Sequence, residues 1–169
     1  SQLILMTDKG KEAIATSPHF EKEASFGDIS IYRYGDCDGR YVDVPRVRPV
    51  LFQGKDWAED FFRWYKSGEH LDRLMIPEGY VKDEADRRLF PTAVGSLQDL
   101  ARAAGEHLDR SDLRIETRLE HLRISFTTNR VGVPHLVKVS YYPNWEVKGA
   151  RAVYPVSPHL MMVVPRERE

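Results

Sequence analysis

Apolar and polar positions follow two rhythms along the chain, and the switch between them predicts its architecture. The opening run Leu3 to Met6 is apolar throughout and predicts a strand buried on both faces. Asp8 is placed to cap a helix over 9–16 with Ala13 and Ile14 turned inward, and Ser17-Pro18 ends it. Phe20, Ala24 and Phe26 then fall on one side of a strand, with Glu21, Glu23 and Ser25 on the other. Gly27-Asp28 turns the chain, and Ile29 to Tyr34 returns as the hairpin partner. These elements make a β-α-β-β unit of about 34 residues, too small to hold itself together, which is expected to dock on the remainder of the chain.

Tyr41 to Phe52 carries Pro45 and Pro49 and reads as an extended, edge-like path. Asp56 and Glu59 form a helix-opening box, with Trp57, Phe61, Trp64 and Tyr65 at helical spacing behind it and Gly68 as the stop. From Glu69 to Thr92 the chain is charged and irregular apart from Leu74, Met75 and Ile76. This stretch reads as a surface excursion, with a lid over a site as the alternative. Ser96 and Asp99 open a second helix that presents Leu97, Leu100, Ala101, Ala104 and Leu108 on one face.

From Leu113 the period becomes two. Leu113, Ile115, Thr117 and Leu119 alternate with charged residues, as do Leu122, Ile124 and Phe126. After a polar loop, Val137, Val139 and Tyr141 form one face of a strand that Pro143 must end, because proline offers no N–H to a ladder. Tyr142-Pro143-Asn144 therefore reads as a turn, with Trp145 and Val147 starting the way back through Ala150, Ala152 and Tyr154. Pro155 and Pro158 break that path, and Leu160 to Val164 is apolar enough for a central strand. The fold class is α+β: a small N-terminal β-α-β-β unit and two helices packed with a C-terminal antiparallel β-sandwich. The α+β region covers 1–110 and the sandwich region 111–169, the two sharing one core.

Composition narrows the function classes. Of 169 residues, 41% are apolar and 30% charged, which suits a globular chain with a sizeable core. The net charge of −1, with no basic run, argues against nucleic acid as a partner. Cys37 is the only cysteine, so no intramolecular disulfide forms. No apolar run approaches the roughly 20 residues of a membrane span. Both ends have the look of a piece excised from a longer chain.

Candidate chemistry is sparse. Asp36-Cys37-Asp38-Gly39 invites a calcium reading, but the distal Glu of a calcium loop is missing and a tight turn explains the residues. The histidines, His107, His121, His135 and His159 among them, stand on different elements without metal-ligand spacing, so no metal and no cofactor is expected. Ser140 and Ser157 lack a nucleophile elbow, so no catalytic residue is assigned. The cluster Tyr142, Asn144, Trp145 and Glu146 is the one able to present an aromatic face beside an amide and a carboxylate. Trp57 and Trp64 could add a second aromatic platform, core packing being the competing role for all three tryptophans.

Lys138 to Trp145 followed by Gly149, then Val153 to Pro158 and Leu160 to Pro165, resembles the extracytoplasmic region of bacterial and archaeal multi-pass glycosyltransferase-like proteins. These include the group described as 6-pyruvoyl-tetrahydropterin-synthase-related membrane proteins. The segment from His19 to Tyr34 is similar to the start of such regions. The resemblance implies an accessory, non-catalytic domain held at the extracytoplasmic face of the membrane by the membrane-embedded remainder of the parent chain. It further implies a part in positioning or recognising a glycan or lipid-linked sugar. A structural or protein-interaction domain without ligand is the alternative, and an enzyme assembled from Asp36, Asp38 and histidines a third reading.

Overall fold

In the computed structural model, which describes residues 2–35 and 39–167, the chain is α+β and divides into two units, 1–40 and 41–169. The boundary drawn near residue 110 falls inside the second unit.

The first unit is an antiparallel sheet ordered β1-β3-β2, from β1 (Gln2–Leu5), β2 (Phe20–Phe26) and β3 (Ile29–Tyr34), with helix α1 (Asp8–Ala15) after β1. Thr7, not Asp8, caps α1: its hydroxyl accepts from the Gly10 N–H at 3.2 Å, while Asp8 in the first turn pairs with Lys11. The expected strand buried on both faces is half open instead, with Ile4 62% and Met6 67% exposed. Ala13, expected to turn inward, is exposed. A β-bulge supplies a further correction. Lys22 lies opposite Tyr32 but Ala24 opposite Ile31, so one extra residue on β2 switches the facing of everything after it. Phe20 and Phe26 consequently leave opposite faces of the sheet, and Phe26 is exposed. Among the described residues of this unit, only Ser30 and Tyr32 are buried.

The second unit is built on two larger sheets and a two-stranded one. Antiparallel strands β10 (His135–Ser140), β11 (Ala150–Val156) and β12 (Leu160–Pro165) join the short β4 (Val42–Asp43) in the order β11-β12-β10-β4. Strand β12 explains its own composition: Met162 and Val164 enter one apolar cluster, Met161 and Val163 another, so both faces are buried. Pro155 lies within β11 rather than breaking it, opposite Met161, and an outer strand of the sheet tolerates the missing donor. Trp145 and Val147 precede the return strand without joining it. The hairpin β8 (Ile115–Glu120) and β9 (Arg123–Thr128) turns at Leu122, and its Ile115, Ile124 and Phe126 pack on the cluster of Val42, Val137, Met161 and Val163.

The second sheet is parallel, ordered β6-β5-β7, from β5 (Val50–Phe52), β6 (Met75–Pro77) and β7 (Ala93–Val94). It overturns two expectations. Val50 to Phe52 is a central strand and not an edge, and Leu74 to Ile76 is buried at the heart of the stretch read as a surface excursion. The signal was masked by length, since a three-residue parallel strand has no period to read. Helix α2 (Trp57–Ser67) crosses from β5 to β6, presents Phe61 and Trp64 to the core, and ends at Gly68 in the left-handed conformation, φ 73°. The short α3 (Glu84–Arg87) is capped by Asp83 and α4 (Leu97–Arg102) by Ser96. Helix α4 stops well short of Leu108. Beyond it Gly105 lies so close to Val47 that a Cβ there would sit 2.7 Å from the Val47 side chain. Ser157 links the sheets, donating its N–H to the Met75 carbonyl and accepting the Met75 N–H on its hydroxyl.

Candidate aromatic cleft at the ends of the parallel strands

The order β6-β5-β7 places the strands that come after β5 on opposite sides of it. Connections leaving in opposite directions open a crevice at the carboxyl ends of parallel strands, the usual ligand position in such sheets. A cleft of about 150 Å³ lies there. Phe52, Gln53 and Gly54 come from the end of β5, Trp57 from the start of α2, and Pro77, Glu78, Gly79 and Tyr80 from the end of β6 and the 3-10 turn Glu78–Tyr80. Trp57 also borders a shallower hollow formed by residues 55–59.

Local structure holds each wall. The Gln53 N–H donates to the Val94 carbonyl at 2.9 Å, locking the end of β5 to β7. Gly54 is required by space: a Cβ there would stand 2.3 Å from the Phe52 ring, which is buried and edge-on to Phe61. Trp57 packs edge-to-face on Phe61 and, with centroids 5.9 Å apart and planes at 87°, on Tyr80. Tyr80 in turn meets Tyr141 at 5.8 Å and 85°. Trp57, Tyr80 and Tyr141 thus form a half-buried row of perpendicular rings.

One carboxylate serves the cleft. Arg87 donates to Glu78 Oε1 at 2.5 Å and Gln53 Nε2 donates to the same oxygen at 3.2 Å. The Arg87 hydrogen bond first, and the Gln53 bond second, hold the Glu78 carboxyl below the ordinary carboxylate range. Glu78 is therefore an ionised acceptor at neutral pH. Both bonds fall on Oε1. The groups offered are aromatic faces, an amide and a carboxylate, which suit holding a polar ring.

The residues singled out in the sequence separate. Trp57 lines the cleft. Trp64 is 4% exposed and donates its indole N–H to the His70 carbonyl at 3.1 Å, a core role. Tyr142, Asn144 and Glu146 are exposed, and Trp145 packs half-buried on the cluster beneath the hairpin. Asp36 and Asp38 lie outside the described residues. Among those described, no His, Cys, Asp and Glu cluster could hold a metal ion. Gln53, Glu78, Tyr80 and Tyr141 escaped sequence reasoning. Gly54 and Gly79, each just past an apolar triplet, were the signal available.

No helix among the described residues is long and apolar enough to cross a membrane. Comparison of the chain with family models, with curated proteins and with solved structures finds no match.

Proposed function

We propose that the chain is a non-catalytic binding domain that recognises a saccharide in the cleft between Trp57, Tyr80, Gln53 and Glu78. The observation that carries this reading is the pairing of perpendicular aromatic rings with an engaged carboxylate and an amide in the lining of the same opening. A sugar ring has apolar C–H faces for the rings and hydroxyl edges for the acceptors. In the setting that the resemblance implies, the domain stands at the extracytoplasmic face of the membrane as part of a glycosyltransferase-like parent and positions a glycan or lipid-linked sugar for it. The hairpin β8-β9 over the four-stranded sheet is read as the small sandwich of that domain.

A second reading, a protein-interaction domain without ligand, is favoured by the outer side of α2, where Phe62 and Tyr65 are 65% and 57% exposed. Calorimetric titration of the intact chain with mannose, N-acetylglucosamine, glucose and their linear tetramers separates the two. The saccharide reading expects binding that Trp57→Ala abolishes and that Phe62→Ser with Tyr65→Ser leaves intact. No heat from any of these sugars at millimolar concentration refutes it.

A further inference from the structure

We infer that the ligand is bound as an uncharged chain of sugar units laid along the aromatic row, rather than as a single terminal sugar. This rests on the saccharide reading of the cleft. The cleft is small, about 150 Å³, room for roughly one ring, and drug-sized pockets begin at about twice that. Yet the aromatic contacts do not stop at its rim. From Trp57 the rings continue to Tyr80 and on to Tyr141 in steps of 5.9 and 5.8 Å, leaving the ends of the parallel strands and reaching the end of β10.

The far end of the row is as firmly placed as the near one. The Tyr141 N–H donates to the His159 carbonyl at 2.9 Å, pinning it to the turn between β11 and β12, and its ring packs against the cluster of Val137 and Met161. Tyr142, past the end of β10 and 62% exposed, makes none of the ring contacts of the row. Preorganised rings at both ends cost little ordering on binding, which is the condition under which a second and third contact add affinity.

The charge inside the cleft bears on the ligand. Among the residues that line the cleft Glu78 is the one charged side chain, and its Arg87 is already engaged by it, while Lys55, Asp56 and Glu59 border Trp57 on the neighbouring hollow; the cleft itself has an acceptor to give and no lining cation to attract an anion. An acidic polysaccharide would meet a carboxylate, whereas a neutral chain brings hydroxyl donors.

The test is calorimetric titration of the intact chain with manno-oligosaccharides and chito-oligosaccharides from the monomer to the tetramer, alongside oligogalacturonate. Affinity is expected to rise about two- to tenfold per unit up to the trimer and then level, with the acidic oligomer bound less tightly. Tyr141→Leu, checked for an unchanged melt, should lower the trimer affinity by a similar factor and leave the monomer affinity alone, and Tyr141→Phe should restore it. Equal affinity for monomer and trimer, or a trimer insensitive to Tyr141→Leu, overturns the chain inference while the single-site reading stands. Absence of binding at every length overturns both.

Discussion

Asp86 is 3% exposed, and its carboxylate is ion-paired with the Arg151 side chain, which also reaches Asp83. Beside it the fully buried Tyr154 hydroxyl has no well-formed hydrogen bond. Burial first, then the Asp86 charge, pushes its ionisation far above the ordinary tyrosine range. Removing the cation would strand a buried carboxylate, so Arg151→Met is expected to cost about 3 kcal/mol in urea unfolding, part of which Asp86→Asn in the same chain should return. A stability unchanged by Arg151→Met would show that water already screens the pair. His135 makes a second residue-scale prediction. Its ring is buried, its Nδ1 bonds the Val133 carbonyl and its Nε2 the Thr128 hydroxyl, both at 2.8 Å. Burial outweighs these contacts and pulls the imidazole below its ordinary pKa. The folded state therefore binds fewer protons than the unfolded one: the stabilisation is complete above the ordinary histidine range and is lost as pH falls below about 6.5. His135→Gln, which cannot titrate, should flatten that decline in a series of melts, and an equal slope in both proteins would remove His135 as its source. Sequence pattern reaches none of these contacts. Period and spacing place Trp57 and Trp64 on one helix, but whether an indole lines a cleft or bonds a carbonyl in the core depends on partners remote in the chain.

At the scale of elements, the cleft depends on Gly54, where a side chain has nowhere to go. Gly54→Ala should force the Phe52 ring out of place, costing about 1–3 kcal/mol and abolishing saccharide binding, whereas Gly79→Ala, with nothing within 4 Å, should leave the stability unchanged. Thermal melts and titrations of the two variants decide it, and an unaffected Gly54→Ala would mean that the wall is softer than described. Elements with a sustained rhythm were readable: α2 with its Gly68 stop, the β8-β9 hairpin, the alternating face of β10 and the central strand β12. The parallel strands were not, because two or three residues carry no period and their neighbours in the sheet are remote in sequence. Neither was the bulge in β2, which changes the face of Phe26 without altering the pattern of residue types.

At the scale of the molecule, the two units differ in what holds them. Residues 41–169 enclose two apolar clusters, one running from Val50 to Val164 and one beneath the hairpin, while residues 1–40 bury only Ser30 and Tyr32 among those described. Expressed alone, 41–169 should melt cooperatively and keep the cleft, and 1–40 should not melt cooperatively. Circular dichroism of the two pieces tests both statements. The claim that the cleft is the ligand site is open to a single direct reading, since the chain has three tryptophans in three settings. In a proton–nitrogen correlation spectrum of the nitrogen-labelled chain titrated with a neutral oligosaccharide, the Trp57 indole signal should move in step with occupancy. The Trp64 indole, bound to the His70 carbonyl in the core, should stay in place. A titration in which the Trp145 signal moves and the Trp57 signal does not, or in which no indole moves, contradicts the account.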